Sequence, residues 1–261
     1  MSWGVWARGF CTALVSSDIV AWFDGVKAEF ALNFLTKNRW RMLLKGLQIT
    51  LQITLIACLI GIAIGIIVAM VRTTWDMTAH TMRKGVLRTL LKIADRFCRL
   101  YITVIRGTPV VIQLMVMYYV IFVSSSNGVM VAILAFGLNS GAYVSEIFRG
   151  GIMSIDKGQF EAGRSLGLNY VQTMGLIIMP QVLKAVLPTL ANEFIVLLKE
   201  TSVAGYVAVG DLTFAGNRIR GVTYSAFMPL IAVALVYLVL VVFLSWLVGK
   251  LERRLRQSDN R

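Results

Sequence analysis

The chain has 261 residues, 57% of them hydrophobic and 15% charged, with a mean hydropathy of +0.75. A soluble domain of this length has no core large enough for that much apolar surface, so the bilayer is the expected solvent. The net charge of +13 does not point to nucleic acid, because the basic residues fall between apolar runs, the distribution that membrane orientation imposes.

Residues 1–44 mix Trp3, Trp6, Trp22 and Trp40 with Asp18, Asp24, Lys27, Lys37, Arg39 and Arg41. No apolar run there reaches the roughly 20 residues needed to cross, and there is no signal-peptide pattern. The segment reads as amphipathic and interfacial, where Trp is favoured. Residues 45–250 read as the transmembrane domain and 251–261 as a basic tail.

The first predicted span is about 47–71 and contains Gly61 and Gly65 in a G-x-x-x-G spacing that lets helices approach closely. Gly46, Thr50 and Thr54 share one of its faces. Residues 72–99 are basic, with Lys84, Arg88, Lys92 and Arg96 opposite Val86, Leu90, Ile93 and Phe97. That pattern is an amphipathic helix suited to an anionic leaflet or simply to cytoplasmic solvent. The second span, about 100–123, is broken near its start by Arg106-Gly107-Thr108-Pro109, since Pro109 has no backbone donor. Such a break is tolerated where it lines a cavity or is buried in protein. A third span runs over about 129–148, a polar interval over 149–181, a fourth span over about 182–198 and a fifth over about 226–248.

Lys and Arg number eight in 72–106, four in 149–184 and five in 250–261, against none in 124–128 and two in 201–224. The loop after span one, the polar interval and the C-terminus are therefore expected in the cytoplasm. With five spans the N-terminus is outside, although six basic residues in 1–45 oppose this. Cys11, Cys58 and Cys98 lack metal spacing and read as small buried hydrophobes, and His80 reads as solvated.

Asn139, Tyr143 and Glu146 share one face of span three. Glu146 has two readings. A carboxylate within a span marks a pathway, and Glu146 also stands three residues before Arg149, within pairing distance. Gln113 in span two, and Asn192, Glu193, Lys199 and Glu200 in span four, are further polar candidates. No nucleophile–base set, metal cluster or phosphate-binding loop is visible, so any ATPase is a separate chain.

Within the polar interval, Glu161-Ala162-Gly163, Gly167 and Ile177-Ile178-Met179-Pro180 resemble the EAA loop of ABC importer membrane subunits. Gly163 stands where that pattern has a second Ala, and Met179 where it has Leu. Arg106-Gly107-Thr108-Pro109 with Gln113, Ala142-Tyr143 with Glu146, Arg149-Gly150-Gly151, Gly158-Gln159, Pro180-Gln181, and Asn192 with Lys199-Glu200-Thr201-Ser202 are similar to the polar amino acid permeases of the histidine/glutamine/arginine type. The resemblance covers about residues 44–252. It implies an all-α membrane protein of the type I importer permease fold, with about five transmembrane helices and a cytoplasmic coupling-helix loop. It also implies ABC ATPase subunits, a second permease subunit and an extracytoplasmic binding protein as partners. ATP and Mg belong to the ATPase, and no cofactor is expected on this chain. ATPase coupling is implied for Gly158, Gln159, Glu161, Ala162, Gly163 and Gly167. Solute contact is implied for Gln113, Glu146, Asn139, Tyr143 and Asn192. The competing reading is an ion-coupled or passive carrier, which calls for internal repeats or midplane ion pairs; no repeat is visible.

Overall fold

The computed structural model describes residues 21, 23–79 and 82–259. Trp3, Trp6, Trp22, Cys11, Asp18 and His80 lie outside the described residues. Among the described residues, helix is the only regular secondary structure. Helical turns over 23–38 lead into α1 (Trp40–Thr78), α2 (Val86–Gly107) and α3 (Val110–Val116), which widens into π-helical turns to Ile121. Next come α4 (Gly128–Ser154), α5 (Lys157–Ser165) and α6 (Tyr170–Thr173), which passes through Met174–Ile178 into α7 (Met179–Glu200). A 3₁₀ segment (Thr201–Val207), α8 (Leu212–Thr223) and α9 (Phe227–Asp259) complete the chain.

Four helical stretches are long and apolar enough to cross a membrane, and a fifth if α2 and α3 form one broken span. The expected break lies at Thr108–Pro109, where the axis turns by 109°. Pro109 caps α3, and Thr108 before it is extended, the conformation a residue preceding proline prefers. The observed helices overrun the apolar runs. α1 continues past Val71 to Thr78, α4 continues past Phe148 to Ser154, and the fourth stretch reaches from Tyr170 to Val207. Hydropathy marks where lipid ends, while a helix continues for as long as its backbone bonds and polar partners hold it.

The centre of the fold is the parallel contact of α1 with α4, which rests on glycines. A Cβ added to Gly61 would lie 2.8 Å from the Ser140 Cβ, and one on Gly65 2.5 Å from a Val144 methyl. From the other side, a Cβ on Gly137 would meet Ile60 at 2.9 Å and one on Gly141 the Tyr101 hydroxyl at 2.8 Å. The backbones touch there because nothing stands between them. Ile53, Ala57, Leu114, Phe136 and Leu197 pack on one side of this contact, and Ala69, Val144, Phe148, Ile178 and Val182 on the other. Cys58 and Cys98 are buried free thiols, in keeping with their reading as small hydrophobes.

The predicted Gly46, Thr50 and Thr54 face of α1 is buried and receives α8. Thr50 Oγ1 accepts from the Leu212 amide at 3.1 Å, and the Asp211 carbonyl approaches Gly46 so closely that an added Cβ would sit 2.7 Å from it. Asp211 is buried and caps α8, accepting from the amides of Phe214 (3.0 Å) and Thr213 (3.1 Å). α8 also holds the described end of the N-terminal segment, where Thr223 donates to Asn33 Oδ1 at 2.7 Å.

Gly65→Ala is expected to lower stability by about 1–3 kcal/mol, since the added methyl overpacks a backbone contact; thermal unfolding in detergent checks this. Asp211 lies between two spans, and burial pushes its carboxyl up to about 6, against the pull of the two amides. A raised folded value means that the native state binds this proton more tightly than the unfolded chain. The stability it contributes is present at low pH and is lost as pH rises through the interval ending at about 6. The unfolding midpoint should fall across that interval, and Asp211→Asn should flatten this part of the profile.

Candidate functional site

Three polar groupings lie along the middle of α4. The first surrounds the break. Gln113, in the first turn of α3, turns its amide back over the interruption. Its Nε2 donates to the Ile105 carbonyl (2.7 Å), the Thr108 carbonyl (3.0 Å) and Thr108 Oγ1 (2.8 Å). These carbonyls lost their helical donors when Pro109 ended the helix, and Gln113 supplies a substitute. The Gln113 Oε1 accepts from Asn139 Nδ2 at 3.0 Å, so two of the predicted site residues are joined. Asn139 is buried, and its Oδ1 has no hydrogen-bond partner among the described residues.

The second grouping links α4 to α7, where Ser140 Oγ donates to Glu193 Oε1 at 3.3 Å. Asn192, beside it, is exposed. The third grouping holds Tyr143 and Glu146. The Arg106 guanidinium lies 5.2 Å over the Tyr143 ring. Glu146 is gripped by Arg72 of α1 through one oxygen and by Arg149 through the other, at 2.7 and 3.1 Å. The α4 intrahelical pair thus forms, and Arg72, which stands just beyond the first apolar run, converts it into a triad. A second ionic cluster closes the same end, where Arg99 reaches Asp95 (2.8 Å) and Asp76 (3.1 Å). Arg72 was not among the expected site residues, and Glu193 was expected only as a further polar candidate of span four, without a role in solute contact. An arginine at the edge of an apolar run was the available signal for the first, and a carboxylate beside Asn192 in a span for the second.

The loop with the EAA-like pattern folds as α5. Asp156 caps it, accepting from the Gly158 amide at 2.7 Å. Gly167, at φ +78°, ends it in a left-handed turn closed by Gly167 N→Arg164 O (2.9 Å) and Leu168 N→Gly163 O (3.0 Å). Gly158, Gln159, Glu161 and Ala162 are exposed. Gln181 bridges Gln159 (3.4 Å) and the Ile177 carbonyl (2.9 Å), which links α5 to α7.

Gly163 is different. It is buried, and an added Cβ would lie 2.6 Å from Thr173 Cγ2 and 2.8 Å from its Oγ1. The departure from the second Ala of the pattern therefore has a local cause. Thr173 fills the space that an alanine methyl would take.

Residues 61–257 match the family described as binding-protein-dependent transport system inner membrane component. The arginine transport system permease protein ArtQ of Bacillus subtilis (strain 168) is 38% identical over 178 residues, covering 67% of this chain and 80% of that protein. The glutamine transport system permease protein GlnP of Escherichia coli (strain K12) is 37% identical over 168 residues, covering 63% and 77%. Among solved structures, an amino acid ABC transporter with histidines matches with a TM-score of 0.73 at 35% identity, over 85% of this chain and 98% of that one. The inward-facing MetNI methionine ABC transporter matches with a TM-score of 0.68 at 21% identity, over 83% and 97%, a likeness of fold alone.

Gly163→Ala should destabilise the seat of α5 by about 1–3 kcal/mol, and adding Thr173→Ala should recover most of the loss. A double-mutant cycle read by thermal unfolding measures this coupling; additive losses would rule it out.

Proposed function

We infer the function of this chain from its family: it belongs to the inner membrane components of binding-protein-dependent transport systems. It is a multi-pass membrane protein and the permease subunit of an ABC importer. An amino acid is the proposed solute, by analogy with the arginine and glutamine systems after which its relatives are named. The observation that carries the reading is the concentration of polar side chains on α4 opposite the α2–α3 break, in a helix otherwise fit for lipid.

The proposed assembly pairs this chain with a second permease subunit, a copy or a similar chain. ABC ATPase subunits, carrying ATP and Mg, dock on α5, and an extracytoplasmic binding protein delivers the solute at the opposite face. The distribution of Lys and Arg supports a cytoplasmic C-terminus and an outside N-terminus. The exposed Gly158, Gln159, Glu161 and Ala162 are proposed as the docking surface. Gly163 and Gly167 set the seat and the end of the helix that carries them. Because α5 is tied to α7 through Gln159–Gln181 and to α6 through Gly163–Thr173, force applied to it passes to the bundle.

Solute contact is proposed for Gln113, Asn139, Tyr143, Glu146 and Asn192. Their geometry divides the work. The free carbonyl oxygen of Asn139 and the Arg106 guanidinium over Tyr143 offer an acceptor and a donor to a zwitterion. Glu146 meets the solute only together with Arg72 and Arg149, which already neutralise it. Glu193, bound by a single hydroxyl, is the carboxylate with lone pairs left for an ammonium group.

Uptake by proteoliposomes holding the complete transporter tests this. Glu193→Gln should cut uptake about tenfold or more while leaving the fold intact, because it removes one charge-assisted bond. Glu146→Gln should lower stability by about 2 kcal/mol, since it leaves Arg72 half-buried without its anion. If Glu146→Gln is stable and Glu193→Gln transports normally, the division of labour proposed here is wrong. Glu161→Lys should abolish ATP-driven uptake and leave membrane insertion unchanged.

A further inference from the structure

An apolar groove of about 470 Å³ opens between α1, α4 and the α6–α7 stretch, lined by Ile66, Met70, Phe148, Met174, Met179 and Leu183. Ile66 and Met70 belong to the apolar run of α1, so the groove lies at lipid depth. It is continuous with two clefts at the end of the bundle. Thr73 and Ile152 line both the groove and a cleft of about 240 Å³ that also holds Asp76, Arg149, Lys157 and Phe160. Tyr170 joins the groove to a third cleft of about 450 Å³ lined by Lys157, Phe160, Arg164 and Thr173.

We propose that this continuous site binds one anionic phospholipid, with an acyl chain in the groove and its phosphate at Lys157 and Arg164. Charge complementarity carries the assignment. Lys157, Phe160 and Arg164 stand at i, i+3 and i+7 on one face of α5. Lys157 and Arg164 are exposed and form no ion pair among the described residues. The other charges at the mouth are committed, Asp76 to Arg99 and Arg149 to Glu146. Two unpaired cations are therefore left at the polar end of a groove fit only for hydrocarbon.

A second observation points the same way. Thr73 and Thr173 are each 3% exposed, and neither hydroxyl has a partner among the described residues. Both line the seam between the apolar and charged parts, the depth of a phospholipid's ester carbonyls and phosphate. A buried hydroxyl without a partner costs free energy that an ester or phosphate oxygen would recover. The lipid would bridge α1 to α5, the helix proposed to receive the ATPase.

The test is native mass spectrometry of the complete transporter extracted from membranes containing phosphatidylglycerol and phosphatidylcholine. The wild type should retain phosphatidylglycerol in preference. The double substitution Lys157→Gln/Arg164→Gln should reduce that adduct about tenfold or more, at roughly 1 kcal/mol per basic residue. Gly175→Leu should also displace it. Gly175 lines the groove, and a Cβ there meets nothing within 4 Å, so the variant fills the cavity without disturbing the fold. Inorganic phosphate at millimolar concentration should leave the adduct in place. Equal retention of both lipids, displacement by phosphate, or loss of the ATPase subunit with the adduct unchanged would each overturn the proposal. The last outcome would assign Lys157 and Arg164 to an acidic surface of the ATPase instead. Retained lipid is read directly, so the result is independent of which solute is carried.

Discussion

The fold depends on a contact made by residues without side chains. Gly61 and Gly65 of α1 lie against Ser140 and Val144 of α4, with Gly137 and Gly141 answering from the other helix. In lipid there is no hydrophobic gain from bringing two apolar helices together, so van der Waals contact and close approach must do it. Here the close approach also sets register. Parallel packing at these glycines brings Arg72 beside Glu146, and it presents the Asn139–Tyr143–Glu146 face to the break between α2 and α3.

That break is the second constraint. Proline frees carbonyls that cannot be left bare at membrane depth. Gln113 satisfies two of them and still offers its carbonyl oxygen to Asn139. One amide thus repairs a backbone defect and anchors the polar face of α4. The same economy appears at the opposite end of α1, where Asp211 caps α8 while its carbonyl packs against Gly46.

Much of this was legible in the sequence. Apolar runs located the spans, Pro109 located the break, and the helical period placed Asn139, Tyr143 and Glu146 on one face. The EAA-like pattern identified the family to which the chain belongs. What stayed hidden depends on pairs distant in sequence. Arg72 reads as a flanking charge until α4 brings Glu146 to it, and Thr173 is unremarkable until Gly163 lies on it. Helix ends were misjudged for a related reason. The polar residues Arg72 to Asp76 end the hydrophobic signal but not α1, because Glu146 and Arg99 hold the added turns.

The length of α1 has a mechanical consequence. Its 39 residues make a rod about 58 Å long at 1.5 Å per residue, roughly twice the hydrocarbon thickness. One end is clamped by α8 through Gly46 and Thr50, and the other by the arginine–carboxylate clusters near α5. A tilt of only about five degrees carries one end of such a rod roughly 5 Å relative to the other. A single unbroken helix can therefore act as a pushrod between the two faces of the bundle, with no kink along it to absorb the stroke.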